Sequence, residues 1–393
     1  MRAASGPPSN EVGFCPGRVM LPPHIISDKR LLETFTDLLA INSPSFHEEK
    51  MGEVLAERLS MAGCQVEIHR YDGSFNIVAR KEGSNAAPPL LISGHMDTIE
   101  PTGGLEFSVD ALEVRSTGRT ILGADDKSAL AQILEALTVL REQKIPHGDL
   151  EIVLTSAEEK GLCGAKNLDF STLRSRHALV LDASGTVGGL VIAAPTHLTY
   201  ELRVVGKSAH AGIEPEKGIN AIRVAAFIIA AVQDGRLSGE TTANVGIIHG
   251  GTATNVVPDE AVIRGELRSR NAAALEGCMK HLFETAGAIA EMNGAVLFIS
   301  QEEEYRTFSI RQGDPFLKYL SRTFNKCGIR PVPIETGGGS DANIFNEHGI
   351  KAINITNGMR QVHSKEECIS LADLYNGCRV LLQAIADFRE FSP

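Results

Sequence analysis

The chain has 393 residues, 43% of them hydrophobic and 22% charged, which suits two to three domains with a sizeable core and excludes a disordered or collagen-like polymer. Its 49 acidic and 38 basic residues leave a formal charge of −11, and the basic residues form no cluster, so nucleic acid is excluded as a partner. The longest apolar stretch, Val224–Val232, is too short to cross a bilayer, so no membrane segment is expected.

Residues 1–25 read as a loose leader: MRAASGPPSNEVGFCPGRVM carries Pro, Gly and Ser but no continuous apolar stretch of a secretory signal. The seven cysteines are scattered without a CxxC pair, a usage that fits a reducing cytoplasm. From Asp28 to Ala62 apolar residues recur at helical spacing, and VEIHRYDG and FNIVARKEG then read as two strands closed by turn residues. The strand PLLISGHMDT follows, then a helix over DKSALAQILEALTVLRE with Leu130, Ile133, Leu134 and Leu137 on one stripe, then the strands LEIVLTS and HALVLDAS. Apolar strands alternating with helices predict an α/β fold with a mainly parallel sheet covered by helices.

Between about Thr196 and Thr307 the order becomes β-α-β-β-α-β, that of a ferredoxin-like α+β unit. The α/β pattern returns with helix PFLKYLSRTFNKCG, a Gly-rich turn, strand KAINIT and helix ADLYNGCRVLLQAIADF. The expected organisation is therefore a leader (1–25), a main domain in two parts (26–195 and 308–393) and a smaller domain inserted between them (196–307).

Acidic residues and histidines collect just beyond the carboxyl ends of predicted strands, where ligands bind in open α/β sheets. His95-Met96-Asp97 follows PLLISG, and an extended backbone lets Asp97 orient the His95 ring. Gly123-Ala124-Asp125-Asp126-Lys127 opens a helix; an N-cap accounts for one aspartate but not for the pair. After LEIVL, Glu158 and Glu159 point in different directions, so one can ligate a metal while the other acts as a general base on water. Asp182 closes an apolar strand, a costly place for an acid that is neither solvated nor ligated. His363 follows KAINIT through a loop, and the turn Gly337–Asp341 lacks both the spacing and the lysine of a phosphate cradle. Histidine and carboxylate together form a hard donor set that suits zinc, with cobalt or manganese as substitutes. No GxSxG elbow is present, so metal-activated water is favoured over a protein nucleophile.

The segments SGHMDT, GADDK, SAEEKGLCGA, LDAS, SAHAGIEPEKGINAI, TNVVPDEA and QVHSKEE, in that order, resemble the di-zinc aminoacylase/glutamate-carboxypeptidase family, in particular its peptidase T-like branch, over nearly all of residues 26–390. The resemblance implies a zinc-exopeptidase-like catalytic domain and an inserted lid and dimerisation domain. It implies His95 and Asp182 on one Zn2+, Glu159 and His363 on a second, and Asp125 bridging both, with Asp97 orienting His95. Glu158 would take a proton from water held between the metals and pass it to the leaving amine. His210, Asn255 and Arg268 match positions that hold substrate and stabilise the oxyanion, with Arg268 suited to a terminal carboxylate. Inserted domains are expected to pair edge to edge in a homodimer, so that His210 reaches the partner's site. The expected activity is release of the N-terminal residue from tripeptides or other short peptides. The alternatives are an N-acyl amino acid deacylase or a carboxypeptidase and, from another class, a catalytically silent metal-binding scaffold, against which the intact Glu158 argues.

Overall fold

The computed structural model describes residues 20–22, 24–83 and 89–391; most of the expected leader, with Cys15, lies outside the described residues. The helical spacing after Asp28 resolves into two helices, Asp28–Leu39 and Glu49–Met61. Ser27 caps the first by accepting the Arg30 N–H. Pro44 stops it from running on, because the residue before a proline is pushed out of helical geometry. The break carries Ser45 and Glu48 toward the strand ends.

The main sheet has nine strands among the described residues. Gln65–Tyr71 and Ser74–Lys81 form an antiparallel hairpin at one edge, and Ser74–Lys81 pairs antiparallel with Leu150–Thr155. Leu150–Thr155, Leu90–His95, His177–Ala183 and Lys351–Thr356 then run parallel, side by side. Gly189–Ala194 closes the other side antiparallel, and pairs with Val332–Glu335 and Phe308–Ser309. The parallel centre is what the alternating pattern predicts; the short flanking strands Phe308–Ser309 and Val332–Glu335 escape it because two to four residues show no periodicity.

Helix Ala124–Glu142 packs against the sheet with Leu130, Ile133, Leu134 and Leu137 all buried, so truncating Leu137 to alanine is expected to cost about 2–5 kcal/mol. A second hydrophobic core belongs to the inserted unit. There Thr241–Gly250, Glu260–Ser269, Thr196–Val205 and Val296–Tyr305 form an antiparallel sheet in that spatial order, edged by the short strand Gly235–Arg236. Helices Ala221–Ala231 and Ala272–Met292 turn their buried residues onto this core, which completes the ferredoxin-like order read from the sequence. Three ion pairs among the described residues tie the units together, Lys166 to Glu304 at 3.2 Å, Arg270 to Glu335 at 2.9 Å and Arg306 to Glu347 at 3.6 Å.

A further small sheet of Phe107–Val109, Glu113–Ser116, Cys368–Ser370 and Met359–Arg360 has no counterpart in the sequence reading. It clamps both ends of the loop that carries His363, aided by an Arg360–Glu113 ion pair at 2.8 Å.

Candidate active site

Because the four central strands are parallel, their carboxyl ends open on one side, and the loops leaving them converge there. His95 ends its strand opposite Thr155, three residues before Glu158. Asp182 lies near the end of the next strand, and the loop after Thr356 brings in His363. All five expected ligands, with Glu158, meet at this edge.

Two donor triads share one residue. His95, Asp125 and Asp182 form the first, and Asp125, Glu159 and His363 the second, each with donor atoms within 4.8 Å of one another. His95 Nε2 stands 3.1 Å from Asp125 Oδ1 and 3.7 Å from Asp182 Oδ1. His363 Nε2 stands 2.8 Å from Glu159 Oε1 and 3.4 Å from the other oxygen of Asp125. The two oxygens of Asp125 thus face different imidazoles.

The backbone at Asp125 and Asp126 is not helical, and the residue before the helix, Gly123, sits at φ 76° without a side-chain cap. Neither aspartate is the N-cap of this helix; Gly123 is. Asp126 instead accepts the His95 N–H at 3.2 Å, which leaves Asp125 to face the cleft. Asp97 holds the neighbourhood in two ways. Its carbonyl oxygen lies 2.8 Å from His95 Nδ1 while its carboxylate stands at 3.4 Å, so the main chain and not the side chain makes the shorter contact to the ring. The carboxylate accepts the N–H groups of Glu158 and Glu159 at 3.0 and 3.2 Å and the Ser45 hydroxyl at 2.7 Å, and so fixes the turn that carries the two glutamates.

The electrostatics follow from burying acids side by side. Burial, with the carboxyl of Asp182 close by, pushes Glu158 well above the ordinary carboxylate range. Burial likewise lifts Asp182 to about 7 against the pull of His95. At Asp125 burial acts upward too, but the imidazoles of His363 and His95 outweigh it and hold the group down. Asp125 and Glu159 in turn lift His363 to about 10. Several backbone positions around the cleft are strained: Ala157, Leu162, Gln361 and His363 have φ of 48°, 61°, 53° and 62°, a left-handed region that costs a side-chain-bearing residue roughly 1–3 kcal/mol.

Four supporting residues lie outside the expected site set. Glu367, fully buried, accepts the N–H groups of Gly123 and Asp125 at 2.7 and 3.0 Å. Glu48, also buried, accepts Ala157 N–H at 2.9 Å. Asp341 opens helix Asp341–Glu347 beneath the site and accepts the Thr155 hydroxyl at 2.5 Å. Tyr305 closes the last strand of the inserted sheet and lines the cleft. Two of the four have a sequence cue: Glu367 stands in the QVHSKEE segment, four residues after His363, and Asp341 closes the Gly-rich turn Gly337–Asp341.

The cleft has a volume of about 580 Å³ and is bounded by both units. Arg268 lines it with Asp125, Glu158, Glu159, Asp182 and His363. Its guanidinium is fixed by Glu266, at 3.0 Å through Nε and 3.1 Å through Nη2, and by the phenol of Tyr305 at 3.3 Å. His197 supports Glu266 from the other side at 3.0 Å. His210 and Asn255 are exposed and absent from the cleft wall; the segments that carry them are joined where Ala211 N–H donates to the Asn255 carbonyl at 3.0 Å. The structure therefore gathers the expected ligands, Glu158, Asp97 and Arg268, and leaves His210 and Asn255 outside the cleft of their own chain.

A profile of the peptidase dimerisation domain matches residues 192–313, and one of peptidase family M28 matches residues 76–194. The chain is 38% identical over 372 residues to the uncharacterized protein YqjE of Bacillus subtilis, spanning 92% of this chain and 99% of that one. It is similar to the crystal structure of aminopeptidase PepT from Bacillus cereus, with 34% identity, a TM-score of 0.84 and coverage of 93% and 99%. It is also similar to a tripeptidase of Staphylococcus aureus, with 33% identity, a TM-score of 0.88 and coverage of 93% and 100%. A mixed sheet with an inserted dimerisation domain, and histidines and carboxylates gathered at its strand ends, is the architecture of a metallopeptidase. The chain belongs to the peptidase T-like branch of the aminoacylase/glutamate-carboxypeptidase family and is a peptidase. No helix among the described residues is long and apolar enough to cross a membrane.

Proposed function

We propose that this chain is a cytoplasmic di-zinc exopeptidase that releases the N-terminal residue of tripeptides and other short peptides, built from a catalytic domain (26–195 and 308–393) with the unit 196–307 inserted as lid and dimerisation domain. The observation that carries the reading is Asp125, whose two oxygens face His95 on one side and His363 on the other. The donor set fits a pair of divalent cations: nitrogen and oxygen atoms only, with crowded buried carboxylates whose mutual repulsion a cation relieves. His95 and Asp182 would hold one ion, Glu159 and His363 the other, and Asp125 both. When bound, the ions supply a water of lowered pKa and polarise the scissile carbonyl.

The chain's own groups do the rest. Glu158, buried and set on a turn fixed by Asp97, takes the proton from the attacking water and delivers it to the leaving amine. Burial raises its proton affinity, which suits a group that must both accept and donate a proton. Arg268 holds the far carboxylate of the substrate, and His210 with Asn255 serve the site of a partner copy in a homodimer. A deacylase or carboxypeptidase uses the same catalytic groups; the similarity to an aminopeptidase and a tripeptidase favours release of the N-terminal residue.

The test is a panel of free tripeptides, N-blocked peptides and N-acyl amino acids assayed with zinc or cobalt, alongside metal analysis of wild type and Glu158→Gln. The variant is expected to retain about two metal ions per chain and to lose roughly 10²–10⁴-fold in turnover. Near-wild-type turnover would remove Glu158 from its role, metal-free protein without activity would favour the scaffold, and cleavage confined to N-acyl amino acids would favour the deacylase.

A further inference from the structure

Asn354 lines the cleft beside Asp182 and has no part in the chemistry above, yet the sheet is shaped around it. Where His177–Ala183 pairs with Lys351–Thr356, Asn354 lies opposite Val180 but Thr356 lies opposite Ala183, so the first strand carries one extra residue. Such a bulge re-aims side chains beside functional sites. Inside it, the Asp182 N–H donates to Asn354 Oδ1 at 2.9 Å. Only the oxygen of an amide can meet an N–H, so this contact turns Oδ1 to Asp182 and Nδ2 the other way.

Asn354 is 4% exposed, and Nδ2 finds no acceptor among the described residues. What remains open to it is the cleft. A buried donor without a partner is costly, so a fold that holds one at a cleft wall leaves the acceptor to a ligand.

The order of the strands tells which acceptor. Glu158 follows Leu150–Thr155; Leu90–His95 and His177–Ala183 come next, and Lys351–Thr356 with Asn354 lies beyond them. Glu158 and Asn354 therefore flank the two donor triads from opposite sides. A group that protonates the leaving amine stands on the amine's side of the scissile bond, so the acyl side points to Asn354. There a free peptide presents a cationic amine, which an N–H donor cannot meet, a side chain that varies, and one acceptor common to every substrate, the scissile carbonyl oxygen.

We infer that Asn354 is a further catalytic residue: its Nδ2–H donates to the oxygen of the scissile carbonyl. As the water oxygen bonds to the carbonyl carbon, the π pair moves onto that oxygen and the proton of the water goes to Glu158; the amide donor stabilises the charge that develops. It is aimed in advance by the main chain of Asp182 and, being neutral, does not compete for the proton. The assignment rests on the reading of Glu158 above, which sets the direction of the peptide.

The experiment compares Asn354→Asp, which keeps an acceptor for the Asp182 N–H and loses the amide donors, with Asn354→Ala, which loses both and adds no charge. Zinc content, KM and kcat are measured on trialanine and N-acetylalanine, with Glu158→Gln alongside. Both Asn354 variants are expected to keep about two zinc ions per chain and to lose about 10²–10³-fold in kcat with KM within about threefold, the cost of one oxyanion donor. A zinc-loaded variant with kcat within threefold of wild type, or a loss confined to KM, would overturn the assignment. Zinc lost from both variants would make Asn354 a support of Asp182 alone and overturn it too; where one variant loses zinc, the other decides by the same limits. Slow Asn354 variants beside a Glu158→Gln of near-wild-type turnover keep the donor and overturn the base, and the reverse pattern keeps the base and overturns the donor. Cleavage of N-acetylalanine alone, slowed in the Asn354 variants, keeps the donor and overturns the exopeptidase; cleavage of neither substrate by wild type overturns both.

Discussion

Glu367 offers the sharpest test of how Asp125, the residue that links the two triads, is held in place. Its carboxylate receives the N–H groups of Gly123 and Asp125 from about 240 residues away in the chain, with no exposure to water. Glu367→Ala leaves two buried donors unpaired, each costing about 1–3 kcal/mol, so a loss of about 3 kcal/mol and a fall in Tm of about 5 °C or more is expected. Glu367→Gln keeps an acceptor. Burial pushes the Glu367 carboxyl up to about 7, so between its unfolded value near 4.5 and that value the folded state binds more protons than the unfolded one, and ionising it lowers stability as pH rises. A neutral glutamine avoids that penalty at pH 8, and its Tm is expected to stay within about 2 °C of wild type. Metal affinity, read by competition with a chromophoric chelator, is expected to fall about 10–100-fold in the alanine variant, as for other groups that orient ligands, and far less in the glutamine variant. An alanine variant that binds zinc within threefold of wild type would refute the idea that Glu367 positions Asp125. A glutamine variant as weak as alanine would show that charge, not the acceptor, matters.

Asp125→Ala takes a donor from both triads, so metal analysis is expected to find both ions weakened together; two tightly held zinc ions would exclude the bridging role. His177 lies among Phe316, Phe388 and Phe391 with Nδ1 unpaired, and burial drops it to about 4. The unfolded chain therefore takes up a proton before the folded one does as pH falls from about 6.5 toward 4, and by pH 5 this removes about 2 kcal/mol of stability. His177→Phe is expected to lose about that much less than wild type between pH 7.5 and pH 5 in urea titrations, and parallel losses would contradict the assignment. Mixing inactive His210→Ala and Glu158→Gln subunits under exchange is expected to restore up to about half the wild-type activity per mixed dimer, because one of the two sites then carries neither lesion. Continued inactivity after proven exchange would confine His210 to its own subunit or to no catalytic role.

Local chemistry alone determined much of this molecule. The parallel centre of the sheet follows from apolar strands such as LLISGH and HALVLDA alternating with helices, since only strands covered on both faces are so uniformly apolar. The β-α-β-β-α-β order of the inserted unit follows from periodicity in the same way. His95, Asp125, Glu158, Glu159, Asp182 and His363 were legible because each stands at or just beyond a strand end or in a loop leaving one, and because they lie in segments that resemble a known family. The rest depended on contacts distant in sequence. Asp97 contacts the His95 ring through its main chain while its carboxylate holds the glutamate turn, a division that spacing along one strand cannot reveal. Glu367, Glu48 and Tyr305 are single residues with no repeat or spacing, and what each does is set by the segment it meets: the Gly123–Asp125 turn, Ala157 and the Arg268 guanidinium. Periodicity reports which face of an element is buried. Which buried polar atoms meet is decided by the packing of loops that fold back over the strand ends, and only the tertiary structure contains that information.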